Sequence, residues 1–311
     1  MEIFIKYWIS GKDMETQTAK LPIFQGKPLI GIPEFSPQIG FLGGDFGKAF
    51  LEEYLGRTKV DYEGNRVLNI LKYDNGIIKG SNPFAVVLAN QILRQNGLRT
   101  ATHADLERAL KVSALSLRGT YEDTGLVLIS EEDRDHSTNT YLAKDLAKQV
   151  KARGIKFSPK NPAVIPLTGL ELQTTQDNDY VLTFKLREDA EVYEAPILSE
   201  DGQFNSEDID EKTGLPRKLG QGSRTLYVID SGLSRLCLNG DLDLYSYSRY
   251  LDNSGDDGRV VVVSGEATSP KNLQAELIER INTQYKAQLD DLNARRAEAE
   301  RAVQEIMSRK K

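Results

Sequence analysis

Asn82-Pro83-Phe84-Ala85-Val86-Val87-Leu88-Ala89-Asn90-Gln91-Ile92-Leu93-Arg94-Gln95-Asn96-Gly97 is the stretch from which the fold is read. The Asn82 side chain can accept a bond from an unpaired first-turn amide. Pro83 suits the first helical position, where no amide is needed, and Gly97 suits the left-handed residue that closes a helix. Phe84, Val87, Leu88 and Ile92 fall at i, i+3, i+4 and i+8, which is one face of a helix. A buried helix is therefore predicted here.

Working outward, Thr102 opens a second helix with Asp105 three residues on, a capping-box variant, and Leu106, Ala109 and Leu110 form its inner stripe. Thr124-Gly125 introduces a strand over 126–130. A third helix is predicted from about Thr138 to Arg153, burying Leu142, Leu146 and Val150 and stopping at Gly154, before a strand over 162–167. Upstream, Met1 to Ser10 and 27–32 read as strands, and Pro33 and Pro37 keep the chain extended between them. A short helix over 45–55, capped by Asp45 and ended by Gly56, follows Gly43-Gly44. The strand 66–73 runs into the turn Asp74-Asn75-Gly76.

From about 170 to 264 nearly every segment reads as strand: 169–173, 180–187, 191–197, 225–229, 233–238, 242–247 and 260–264. This change of character predicts α+β, with a helix-containing N-terminal half and a β-rich second half, rather than a doubly wound sheet. Residues 1–268 form the α+β body, either as one unit or as two subdomains divided near 170. Val260-Val261-Val262-Val263 shows no polar alternation, as expected of a central strand covered on both faces. At Asn239-Gly240 a two-residue hairpin would oppose Leu238 to Asp241 and Leu236 to Asp243. Parity therefore favours a three-residue loop, Asn239 to Asp241, or a bulge, with Leu238 opposite Leu242, Leu236 opposite Leu244 and all four leucines on one buried face. The acidic stretch 199–223 is expected to be a mobile excursion.

Ser269-Pro270 opens a final segment of about 40 residues free of further Pro or Gly, read as a long helix of roughly 60 Å at 1.5 Å per residue. Ile278, Ile281, Tyr285, Gln288, Leu292, Arg295, Ala299, Ala302 and Ile306 keep the alternating 3 and 4 spacing of a coiled-coil seam. Ile278, Ile281, Tyr285, Leu292 and Ile306 are its apolar candidates for self-association or for binding a protein partner. Gln288, Arg295 and the alanines weaken the seam.

The 311 residues carry 40 Lys plus Arg against 46 Asp plus Glu, a formal charge of −6, which argues against a surface built to wrap nucleic acid. No run approaches 18 apolar residues, so no bilayer span is expected. The single cysteine, Cys237, can form neither an internal disulfide nor a cysteine-based zinc site. A cytoplasmic location is the simplest expectation.

Chemistry-bearing motifs are sparse, and neither a cofactor nor a metal is called for. The turn Gly40 to Ala49 could cradle a phosphate-bearing ligand with the amides of Gly43 and Gly44 and the charge of Lys48. It departs from the nucleotide-binding loop at Leu42 and Ala49. His103, in a first helical turn, and His136, in a charged loop, are expected to be solvated. Ser234 lacks the second glycine of a nucleophile elbow. Asp252 to Gly258 is rich in oxygen ligands but fails the EF-hand at Asp257 and Val263. Tyr245, Tyr247 and Tyr250 beside Arg249 could form an aromatic platform, and Cys237 reads as a buried hydrophobe. The expected function is a non-enzymatic binding or assembly protein acting through its C-terminal segment. The alternative is an enzyme or small-molecule binder whose site no linear motif displays.

Overall fold

The computed structural model describes residues 38–130, 139–228, 232–246, 251–255 and 258–264. The strands expected before residue 38, the loop holding His136, the group Tyr247, Arg249 and Tyr250, and the segment from 269 onward lie outside these residues. In chain order the elements are β1 (Gln38–Phe41), α1 (Gly44–Asp61), β2 (Lys72–Asp74), β3 (Ile77–Lys79), α2 (Pro83–Leu93), β4 (Leu98–Thr100), α3 (His103–Lys111), β5 (Glu122–Ile129) and α4 (Thr140–Ala152). There follow β6 (Ala163–Pro166), β7 (Leu170–Thr174), β8 (Leu182–Leu186), β9 (Tyr193–Glu194), β10 (Gly202–Phe204), β11 (Arg224–Tyr227), β12 (Leu233–Leu238), β13 (Leu244–Tyr245) and β14 (Val261–Ser264). The class is α+β. All four α-helices of the described residues precede residue 153, while strands occupy both halves.

A curled seven-stranded sheet in the order β10-β11-β13-β12-β5-β6-β9 is antiparallel throughout except for the parallel pair β11–β13. A second sheet, β1-β14-β4, is fully antiparallel, and β2–β3 and β7–β8 are hairpins. The main core lies on one face of the large sheet, where α2, α4 and the β7–β8 hairpin pack on Val127, Ile129, Ala163 and Ile165. The opposite face buries Leu126, Leu128, Val164 and Leu236 beneath Leu198, Phe204 and Leu215.

The helix signals act as local chemistry dictates. Asn82 accepts a bond from the Ala85 amide at 2.8 Å, Pro83 stands at the first position, and a 3-10 turn over Arg94–Asn96 closes at Gly97 with φ +67°. The capping box of α3 forms, with the Thr102 amide donating to the Asp105 carboxylate at 2.8 Å. Helix α4 buries Leu142, Leu146 and Val150, and Gly154 follows its C-terminus with φ +76°. The Asn75-Gly76 turn has positive φ at both residues, the geometry that matches strand twist in a two-residue hairpin. The strand before it is shorter than predicted.

Val260 to Val263 are all buried, and β14 runs between β1 and β4. Its alternate side chains divide between two cores: Val260 and Val262 face the main one, whereas Val261 and Val263 meet Ile39, Phe41 and Leu106. The strand is central, but in the small sheet.

Three expectations are corrected. Helix α1 is capped by Gly43 rather than Asp45 and continues through Gly56 to Asp61. Gly56 stands in the open there, so it costs helix propensity without ending the helix. The β12–β13 loop is odd, as parity requires, but spans five residues, with Leu238 opposite Leu244. All four leucines are buried, yet Leu236 and Leu244 join one core and Leu238 and Leu242 another, at a place where Thr124-Gly125 on β5 shift the β12–β5 register and Leu242 has a positive φ. The stretch 199–223 is packed rather than a free excursion: it contributes β10, pairs Ile209 with Pro216 and buries Leu215.

Candidate functional site

The ionisable groups least suited to a protein interior gather in two places. The first is the joint between the two sheets. Arg259 immediately precedes the valine strand and forms isolated bridges to Lys79 beside it and to Glu122 at the start of β5. Its guanidinium lies 4.2 Å from the centroid of Phe41, and its Nε donates to Glu122 Oε1 at 2.6 Å. Thr120 donates to the same carboxylate oxygen at 3.2 Å. Oε2 of Glu122 is buried without a partner among the described residues.

Next along the chain, Asp123 accepts a bond from Ser81 Oγ at 2.7 Å and stands 3.5 Å from Arg235 Nη1. Arg235 lies over the Tyr121 ring and donates to the Asn253 carbonyl at 2.7 Å. Tyr121 donates to the Ser81 carbonyl and accepts from the Gly255 amide, so its ring fills the place a side chain at Gly258 would need. Burial pushes the Glu122 carboxyl up to about 7 against the pull of Arg259. It raises Asp123 as well, against Arg235. The thiol of Cys237, opposite Asp123 in register, is pushed up to about 12 by burial and stays protonated.

The second cluster sits under the 199–223 stretch. Arg224 opens β11 and grips Glu107 of α3 through two bonds of 2.8 and 2.7 Å, the bidentate fork that favours arginine over lysine. Its Nε donates to the Leu242 carbonyl at 2.6 Å, and Phe204 lies beneath the guanidinium at 4.7 Å. His103, one turn before Glu107, places Nε2 3.3 Å from Glu107 Oε1 without hydrogen-bond geometry. The imidazole is 0% exposed, which corrects the expectation of a solvated residue, and Gly214 from the overlying stretch packs against the backbone of His103 and Ala104. Burial, assisted by Arg224 and opposed by Glu107, lowers its pKa to about 4, so it is neutral at physiological pH.

The two clusters have opposite pH signatures. The raised pKa of Glu122 gives a contribution that is full below its ordinary 4.5 and lost as pH rises through about 7. The lowered pKa of His103 gives one that is full above its ordinary 6.5 and lost as pH falls through about 4. Between pH 4.5 and 6.5 they oppose each other. Glu122→Gln should therefore leave a stability that rises more steeply with pH over that window than in the native protein, as read by urea titrations at several pH values. An unchanged slope would contradict a proton held at Glu122.

Of the residues singled out as a phosphate cradle, Gly43 and Gly44 lie against the turn between β2 and β3. The Gly44 amide donates to the Gly76 carbonyl at 3.0 Å, and a methyl at Gly43 would stand 2.4 Å from that oxygen. Gly44 has φ +62°, and Lys48 reaches Asp45 at 3.5 Å and the Tyr73 ring at 5.5 Å. Gly43→Ala should cost about 1–3 kcal/mol by forcing the β2–β3 hairpin from α1, measurable by chemical denaturation. A neutral substitution would show that this approach is not needed. Tyr245 stacks on Tyr227 at 4.4 Å, and Ser234 is buried. Asp252 pairs with Arg66 at 3.6 Å. No group of three or more His, Cys, Asp or Glu among the described residues is arranged to hold a metal. The seam residues Ile278, Ile281, Tyr285, Leu292 and Ile306 lie outside the described residues.

Sequence reasoning did not find Glu107, Glu122, Asp123, Arg224, Arg235 or Arg259. One signal was present: Arg235 interrupts the apolar run Leu233-Ser234-Arg235-Leu236-Cys237-Leu238, and an arginine there needs a buried partner. What the site defines is an α+β body with two sealed charge clusters, each joining segments distant in sequence. No known protein family, curated protein or solved structure matches the chain. No helix among the described residues is long and apolar enough to cross a membrane.

Proposed function

We propose that the protein is a non-enzymatic, cytoplasmic binding or assembly protein whose segment 269–311 forms a long helix and pairs with a second copy through a coiled-coil seam. The observation that carries the reading is the seam's spacing, with Ile278, Ile281, Tyr285, Leu292 and Ile306 at positions that face one way on a supercoiled helix. The body adds indirect support. Its perturbed carboxyls Glu122 and Asp123 are bonded to Arg259 and Ser81 of the body, as befits a scaffold that presents another segment. Placing Glu at both Ile278 and Ile281 in the full chain should shift sedimentation to the monomer at micromolar concentration, since each charge would enter a desolvated seam. Unaltered sedimentation of an associated form would remove the seam from the reading.

A second reading, a small-molecule binder, rests on the Glu122–Asp123 pair, because carboxyls with raised pKa occur at functional sites as well as in structural networks. Thermal-shift screening against phosphate-bearing ligands, sugars and divalent cations separates the two. A saturable rise in melting temperature that Glu122→Gln abolishes would favour this second reading.

A further inference from the structure

Helix α4 carries its lysines on one side. From Lys144 to Lys160 the chain holds six basic residues and one acid, Asp145, within a protein whose formal charge is −6. Leu142, Leu146 and Val150 of α4 are buried in the main core, while Lys144, Lys148 and Lys151, at i, i+4 and i+7, form an exposed stripe. The flank next to the stripe lies along β8. Gln149 donates to the Phe184 carbonyl at 2.8 Å and accepts from the Leu186 amide at 2.6 Å, so it closes the edge of the β7–β8 hairpin. Asp145 is drawn to the same edge, accepting from Thr183 Oγ1 at 2.9 Å and from Gln149 at 3.1 Å. The one acid of the segment is thereby turned toward β8. Lys185, exposed on β8 between the two residues that Gln149 holds, stands opposite Glu171 in register, which offsets its charge.

We propose that the stripe Lys144, Lys148 and Lys151 binds the phosphate backbone of a nucleic-acid duplex, locally and without reading its sequence. A net-acidic chain is not built to wrap a polyanion, but one basic face needs only a few contacts, and acids elsewhere turn that face toward the ligand. Lys144 and Lys151 are about 10 Å apart along the axis at 1.5 Å per residue, a length over which a duplex presents about six phosphates. Lysine meets phosphate as a point charge and lacks the planar fork of arginine, so the contact carries charge and little direction. The side chains present favour this occupant over others. Lysine is depleted in protein–protein interfaces, whose affinity comes from aromatic and arginine anchors that the stripe lacks. A helix lying on a membrane needs a free apolar face, and that of α4 is covered by the core. Single strands are held by stacking on exposed rings, whereas Tyr141 and Phe157, the aromatic residues nearest in sequence, pack against the core.

The test is fluorescence anisotropy of a labelled DNA duplex of about 20 base pairs, and of an RNA duplex of the same sequence, titrated with the full chain across a salt series. Three lysine contacts give a slope of about −2.7 in log affinity against log salt, a loss of roughly 40-fold between about 50 and 200 mM. A duplex of shuffled sequence should bind equally well. Lys148→Gln combined with Lys151→Gln should flatten the slope to about −0.9 and weaken binding at low salt by more than about 10-fold. Lys148→Arg combined with Lys151→Arg should keep both slope and affinity. Both positions are exposed, so the variants should keep the native circular dichroism. Binding of either duplex with these signatures supports the proposal, and the two arms show whether DNA or RNA is preferred. No anisotropy change with either duplex at about 25 mM salt, or undiminished binding by the glutamine variant, overturns it. Binding to phosphatidylserine vesicles or to polyglutamate, with both duplexes left free, does the same.

Discussion

Replacing Arg224 by Met is expected to lower stability by about 3–5 kcal/mol, because it strands the Glu107 carboxylate in the interior. The lost interactions are two bonds to Glu107, the bonds to the Leu242 carbonyl and Ser206 Oγ and the cation–π contact with Phe204. The penalty lies mainly in what remains: a buried anion whose nearest possible cation is a protonated His103. The single variant should therefore also show a His103 titration moved upward. Pairing the change with Glu107→Gln should recover much of the loss, since removing both charges removes the desolvation cost as well as the attraction. Urea denaturation of the two single variants and the double variant measures this. A loss below about 1 kcal/mol in the Arg224→Met protein would mean that Glu107 finds solvent, contrary to the enclosed geometry.

Phe84→Ala should cost a similar amount, about 3–5 kcal/mol, for a different reason. Phe84 is fully buried on α2, stacked on Phe184 of β8 with centroids 4.8 Å apart and tilted against Tyr180 at 5.1 Å. These rings come from elements nearly 100 residues apart in sequence, and truncation leaves a cavity that they can close only by leaving their rotamers. The loss should show as a lower denaturation midpoint with an unchanged m-value. A cost under 1 kcal/mol would show that α2 is not the helix on which the main core is built.

What could be read in advance was local and periodic. Asn82, Pro83 and Gly97 mark α2 because cap chemistry acts over three or four residues, and Val260 to Val263 betray two-sided burial because they lack a polar face. Short strands escaped when their identity depended on a distant partner. Thus β1 and β4 are defined by pairing with β14, and β10 by pairing with β11. Both charge clusters were illegible for the same reason: Arg224 meets Glu107 across 117 positions, and Arg259 meets Glu122 across 137. His103 misled because a polar residue in a first helical turn is ordinarily exposed, whereas here it is fully enclosed beside Glu107 and Arg224, which come together only in the fold. The contact of the glycines at 43 and 44 with the Asn75-Gly76 hairpin, which uses their backbone freedom and small size, could not be read from their own segment either.

The most direct test of an assembly role is the mass in solution of the full chain beside that of a chain ending at residue 268, measured by sedimentation equilibrium across a concentration series. The expected result is a full chain that associates as concentration rises and a shortened chain that remains monomeric with its α+β circular dichroism intact. The same association state in both proteins would contradict the proposed role.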